Sequence, residues 1–215
     1  MNHLALYVHV PCATFRDSHS REYGKTYMIP PPSTVYGMLL ALVGETDDYR
    51  HCGVKLALAM LSQPRKSIVL RQLRRFKVKD YSDPRNTVPE HQEILTGIKF
   101  IVWIDSQGEQ TEPTLRERVY QARTNPAGVK RFGCLYLGES SDLVNSVKLA
   151  SQRHLSQCRW WLIQDDEGFI TLPYWVDHVS SRDTRWLRYR LMEMSIQSPP
   201  DAAWTKILAP ICKDV

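Results

Sequence analysis

The stretch Arg65–Lys79, RKSIVLRQLRRFKVK, carries seven basic residues and no acidic one. Guanidinium and ammonium groups at this density suit the neutralisation of phosphates along a nucleic-acid strand. Read as a strand, the stretch puts Arg71, Arg75, Lys77 and Lys79 on one face, and Arg74 on the other with Leu70, Phe76 and Val78. Such a ribbon can follow a phosphate backbone while an apolar tip wedges between bases. The pattern equally suits a solvated edge strand guarded by lysine and arginine against pairing with another chain.

Further segments bear on the same chemistry. In PPPSTVY, Ser33 and Thr34 precede a helical pattern and offer hydroxyls beside free N–H groups, an arrangement that can hold a phosphate with Tyr36 nearby. It is also how most helices start. Arg16, Arg21, Tyr23 and Lys25 fall in a polar loop of about twenty residues, long enough to be functional. Lys130 and Arg131 lead into RFGCLYLGES, where Gly133 and Gly138 allow close backbone approach or simply form a turn. The tail stretch RDTRWLRYR interleaves arginine with aromatics, which suits stacking on bases or packing at an interface.

Enzymatic and metal signals are poor. H-E-x-x-H, P-loop, G-x-S-x-G and G-x-G-x-x-G patterns are absent, and the histidines at 3, 9, 19, 51, 91, 154 and 178 are scattered. A metal-independent ribonuclease needs an acid and a base beside a phosphate. His9, His19, Tyr23 and Lys25 are the residues available, but no spacing joins them. Cysteines at 12, 52, 134, 158 and 212 contain no C-x-x-C, which argues against zinc or a disulfide framework and for a reducing compartment. The expectation is a cytoplasmic protein with no metal, no cofactor and no membrane segment. A net charge of +5 fits a polyanionic partner without requiring one.

The elements that must carry these residues follow from periodicity. Leu4–Val10 alternates as a half-buried strand and Pro11 ends it. A buried helix is expected over 34–43, capped by Ser33 or Thr34 and stopped by Gly44, with Gly37 inside it implying close packing. Val54–Leu61, Ser67–Val78 and Ile94–Ile104 read as strands, the last central, with a polar insertion, DYSDPRNTVPEHQ, before it. Residues 113–124 read as a helix, and RFGCLYLGESSDL as a short strand entering a turn. RWWLIQDDEGFITLPYW reads as a hairpin. This order suits an α+β, ferredoxin-like (RRM-type) sandwich over 1–150 with a β-rich C-terminal extension over 151–215.

Taken together, the loop CATFRDSHSREYGKTY, the helix start MIPPPSTVYGMLLALVGE, the basic strand leading to HQEILTGIKFIVWI, and RFGCLYLGESSDLV resemble the fifth Cas protein family. These are RAMP-superfamily subunits of type I CRISPR Cascade. The resemblance runs in order over residues 4–145, is weak in the tail, and is nearest the myxobacterial-type and type I-B branch. It implies an RRM-like domain that holds the 5′ handle of the crRNA, with an inserted β-hairpin thumb at the handle–spacer boundary. The thumb would fall at about 72–94, with Arg74, Arg75, Lys77, Lys79 and Arg85 as its basic residues. Implied partners are the crRNA, the repeating backbone subunit and the large PAM-recognising subunit. Target DNA would be reached through the assembled complex, and some relatives work with transposition proteins. One branch processes crRNA itself with a tyrosine and an adjacent Lys-His pair. That dipeptide does not occur in this sequence, so the implied role is non-catalytic.

Overall fold

The computed structural model describes residues 3–17, 20, 23–74, 77–178 and 182–210. Strand β1 (Leu4–Ala13) buries Leu6, Val8 and Val10 on one side and turns Ala5 and Tyr7 to the other, as alternation predicts. Helix α1 (Pro32–Val43) starts two residues earlier than expected. Pro32 takes the first helical position, where its missing N–H is no loss and its φ is already helical. Pro31 is therefore the N-cap, and no side chain caps the helix; neither Ser33 nor Thr34 has that role. Gly44 ends α1 in the left-handed conformation, as expected.

β2 (Lys55–Met60), β3 (Arg65–Arg74) and β4 (Thr87–Asp105) follow. β4 is central: Ile101 faces Tyr7 of β1 on one side and Ala59 of β2 on the other. Ile98, Phe100, Val102 and Ile104 are buried on one face, Ile101 and Trp103 on the other. β3 is described as far as Arg74, and Lys77, Val78 and Lys79 form a bend rather than the strand expected as far as Val78. The second half of the polar insertion is strand: Thr87 to Thr96 pairs with Arg74 to Arg65. This two-stranded ribbon is largely exposed on β3, so no buried face marks its register in the sequence.

α2 (Leu115–Thr124) packs Leu115, Val119 and Ala122 inward, and Thr114 forms a reciprocal capping box with Glu117. The RFGCLYLGESSDL stretch is a turn with one isolated bridge, Tyr136 to Leu143, rather than a strand. Then come β5 (Ser146–Leu149), α3 (Gln152–Leu155), β6 (Trp160–Gln164), β7 (Ile170–Trp175), β8 (Arg185–Glu193) and β9 (Thr205–Lys206).

The described strands form one mostly antiparallel sheet in the order β5-β1-β4-β2-β6-β8-β7, with β3 joined to β4 and β9 to β2. β6 and β7 are not the hairpin their local pattern predicts. Gln164 and Ile170 both face Tyr189, so β8 lies between them. The chain steps from one side of β8 to the other at Asp165–Gly168. A Cβ on Gly168 would sit 2.3 Å from the Tyr189 carbonyl oxygen, so this crossing needs glycine. The turn signal at Asp-Asp-Glu-Gly is local; the strand that intrudes lies about twenty residues downstream and leaves no mark there.

Helices α1 and α2 cover one face of the sheet with the main apolar core. On the other face Ala57 and Ala59 make room for Trp103 and Trp161, stacked at 4.8 Å, with Trp204 and Met194 packed around them.

Candidate nucleic-acid interface

The N-terminal end of α1 opens into two adjoining cavities. One, of about 610 Å³, is lined by Thr14, Arg16, Ser33, Thr34, Gly138, Glu139 and Trp186 among others. The other, of about 340 Å³, is lined by Ser33, Thr34, Tyr36, Gly37, Tyr136, Gly138, Tyr174, Trp175 and His178. Because Pro31 and Pro32 carry no N–H, the first free helix donors are those of Ser33 and Thr34, where the two cavities meet. A Cβ added at Gly37 would meet nothing within 4 Å, and the residue lines the smaller cavity, so the close packing expected of it is absent. The Ser33 hydroxyl donates to the Pro173 carbonyl at 2.9 Å, and the Tyr36 hydroxyl to that of Asp48 at 2.8 Å. Tyr36 is buried, and burial pushes its hydroxyl above the ordinary phenol value. These two hydroxyls support the helix end; the groove's donors include backbone N–H groups, the Thr34 hydroxyl and Arg16.

Gly138 brings the Tyr-Leu-Gly-Glu-Ser turn against the end of β1. With φ 108°, it leaves room for a Cβ only 2.7 Å from the Thr14 carbonyl oxygen. Asp142 holds this join. Its carboxylate accepts the N–H of Thr14 at 2.9 Å and of Glu139 at 2.8 Å, while burial pushes it above the usual carboxylate range.

Glu139 links this turn to the β3–β4 ribbon. It accepts from Arg71 at 3.0 Å and from Gln92 at 2.7 Å. β4 also supplies carboxylates that the all-basic run of β3 conceals: Glu90 meets Arg16 at 3.3 Å, and Glu93 meets Lys66 at 2.8 Å. Burial pushes Glu93 up, but bonds from Lys66 and the Thr26 N–H outweigh it and hold it below the carboxylate norm. Arg16 and Arg71 remain partly exposed in their pairs, which contribute about 0–1 kcal/mol each, so a phosphate can take the carboxylate's place.

Beyond this base the ribbon projects as an arm. Ile68 and Leu70 share its exposed face with Arg74 at 61% and 66% exposure, an apolar face with a cation toward the tip. Lys77 and Lys79 are exposed in the tip turn, and Arg85 pairs with Asp83 at 2.6 Å. Asn86 organises the tip. It is 1% exposed, accepts the N–H of Lys77 and Val78 at 2.8 and 2.9 Å, and donates to the carbonyls of Val78 and Asp80. Sequence reasoning passed over Asn86, Asp142 and Glu139; a lone asparagine or acid in a polar stretch carries no periodicity.

The remaining candidates divide. Tyr23 and Lys25 lie in the loop beside β4, where Gly24 bridges Gln92. Arg21, Arg75 and His19 lie outside the described residues. Lys130, Arg131 and Gly133 do not line the α1 groove; they follow α2, with Lys130 and Arg131 along other cavities. His9 lies across from Lys99 and contacts Asn145 at 3.0 Å, away from Tyr23 and Lys25. Among the described residues no helix is long and apolar enough to cross a membrane.

Residues 3–126 match the family model described as CRISPR-associated protein (Cas_Cas5). The chain is 39% identical over 196 residues to a CRISPR-associated protein Cas5 from Myxococcus xanthus, covering 89% of this chain and 91% of that one. Its fold is similar to a chain of a CRISPR RNA-guided surveillance complex, with a TM-score of 0.61 at 15% identity over 94% of this chain and 95% of the other. It is also similar to a crystallised Cas protein, with a TM-score of 0.52 at 16% identity over 92% and 100%. By sequence and by fold, the chain belongs to the CRISPR-associated Cas5 family.

Proposed function

We propose that this chain is the non-catalytic, RNA-holding subunit of a type I CRISPR effector complex and grips the 5′ handle of the crRNA. The observation that carries the reading is the junction at the α1 N-terminus. There helix N–H groups with no intrahelical acceptor, Arg16 and the Gly138 turn line one groove, joined through Glu139 to the arm. The run β1-α1-β2-β4-α2-β5, ordered β5-β1-β4-β2, supports reading residues 1–150 as a ferredoxin-like, RRM-type unit. β3 and the first half of β4 then serve as its thumb, with 151–215 as a β-rich extension. The arm's exposed Ile68 and Leu70 suit a wedge against an unstacked base, and Arg74, Lys77 and Lys79 suit the adjacent phosphates. The guide supplies sequence specificity by base pairing, so shape and backbone contacts suffice here. The similarity to a chain of an RNA-guided surveillance complex supports a place in a multi-subunit assembly; on this reading the partners are a backbone subunit, a large PAM-recognising subunit and, through them, target DNA.

The test is titration of labelled repeat RNA with the purified chain. Replacing Arg16, Arg74 and Lys77 by alanine weakens binding and lowers the log–log salt slope by about 0.7 for each phosphate no longer neutralised. An unchanged slope sinks the reading. Incubation of the same RNA in EDTA separates the alternative, a metal-independent crRNA-processing endoribonuclease: the RNA stays intact, whereas specific cleavage would make the chain an enzyme.

A further inference from the structure

A cavity of about 400 Å³ lies outside the α1 groove and shares no lining residue with it. It runs between the last turn of α2, the Pro126–Val129 turn and the free edge of β5. Its floor is apolar, from Leu42, Ala122, Leu135, Val144 and Val147. Its charged lining is wholly basic, Arg123, Arg131 and Lys148, with no aspartate or glutamate. Arg123 Nε is buried there without a hydrogen-bond partner. Arg123 itself is only partly buried, but its Nε–H faces the apolar floor without an acceptor, which an anion entering the cavity would supply. Beside it Phe132 is fully exposed, at 105%, between Arg131 and Gly133.

We infer that this is a second anion site, which takes a phosphodiester of single-stranded nucleic acid while the adjoining base stacks on Phe132. A phosphate oxygen accepts from the Arg123 and Arg131 guanidiniums, which suit a doubly bonded oxyanion. The exposed ring distinguishes this ligand from an acidic protein segment. A carboxylate-bearing partner needs the cations but leaves Phe132 in solvent, whereas every nucleotide offers a flat face next to its charge. Spacing could not reveal this site, because Arg123 and Arg131 meet only through the turn that follows α2.

The experiment titrates fluorescein-labelled oligouridine and oligothymidine with the full chain at several salt concentrations. Changing Arg123 and Arg131 together to glutamine is expected to weaken binding about tenfold and to lower the salt slope by about 0.7 for each phosphate released. Phe132→Ala, which removes an exposed ring and leaves the fold intact, is expected to weaken it by a similar factor and to abolish photocrosslinking of bromouridine to this peptide. Weaker binding of either oligonucleotide supports the site and tells which strand it serves. Unchanged affinity and slope in the glutamine variant at an unchanged melting temperature overturn it. So does weakened binding to polyglutamate with oligonucleotide binding intact, which makes the patch a dock for acidic protein. Should the glutamine variant melt early, Phe132→Ala carries the test. Arg16→Gln in the α1 groove is the separate control: its effect stands or falls with the handle reading alone.

Discussion

Asn86 shows how much of the arm depends on one side chain that pattern cannot reveal. Four backbone groups of residues 77–80 bond to it, each worth about 0.5–1.5 kcal/mol. Asn86→Ala should therefore release the tip alone. Amide exchange at Val78 should rise to that of an open loop while Ile98–Ile104 stays protected; equal protection in both proteins would refute the role. Glu45, just after α1, makes a different prediction. Burial pushes its carboxyl up, but Arg118 and the N–H groups of Thr46 and Asp47 outweigh this and hold it near 2, against an ordinary 4.5. A lowered folded value means that its stabilisation is complete above about pH 4.5 and is lost as pH falls toward 2. Glu45→Gln should flatten the acid limb of stability in that window by up to about 1.4 kcal/mol per pH unit, read from urea midpoints. Superimposable acid limbs would show that Glu45 is not the proton acceptor. Its partner Arg118 also meets His51 Nε2, whose ring contacts Glu109 at 2.8 Å. None of this network is visible in the sequence, because its members come from three separate loops and helices.

At the scale of elements, what was legible had a buried face. β1, α1, β2, the inner half of β4 and α2 all carry apolar periodicity, and each lies within a few residues of its expected span. The arm and the β6–β7 connection have no such guide. The arm adds little to the core: among the described residues, none between Leu61 and Leu95 belongs to the buried apolar clusters. Replacing residues 72–88 with an Asn-Gly turn should leave the thermal midpoint within a few degrees while RNA affinity falls. A large drop in midpoint would mean that the arm is structural. Gly168 tests the other connection. A Cβ there meets the Tyr189 backbone, which cannot yield without opening the β6–β8–β7 crossing. Gly168→Ala should cost about 1–3 kcal/mol by urea unfolding, in the range of overpacking. A neutral result would mean that the crossing has room.

For the whole molecule, the question is whether residues 151–215 are an appendage or part of the fold's foundation. Composition changes near 150, which suggests a seam, yet the sheet runs through it. Ala59 pairs with Trp161, and β9 returns to β2 at Leu56. Leu162, Leu172, Trp175, Tyr189 and Ile207 belong to the same buried cluster as Leu6 and Phe100. Each large apolar side chain exposed by removing that segment loses about 1.5–3 kcal/mol of burial, so a handful of them is comparable to the roughly 5–15 kcal/mol that holds a domain folded. A chain ending at 150 should therefore lack cooperative unfolding and bind a hydrophobic dye. In the intact protein, tryptophan fluorescence, dominated by the tail's Trp160, Trp161, Trp175, Trp186 and Trp204, should follow the same transition as far-UV circular dichroism. Two separated transitions would establish the tail as an independent unit. Coincident ones tie the rigidity of the α1 groove to the tail, since Pro173 accepts the Ser33 hydroxyl and Trp186 lines the groove wall.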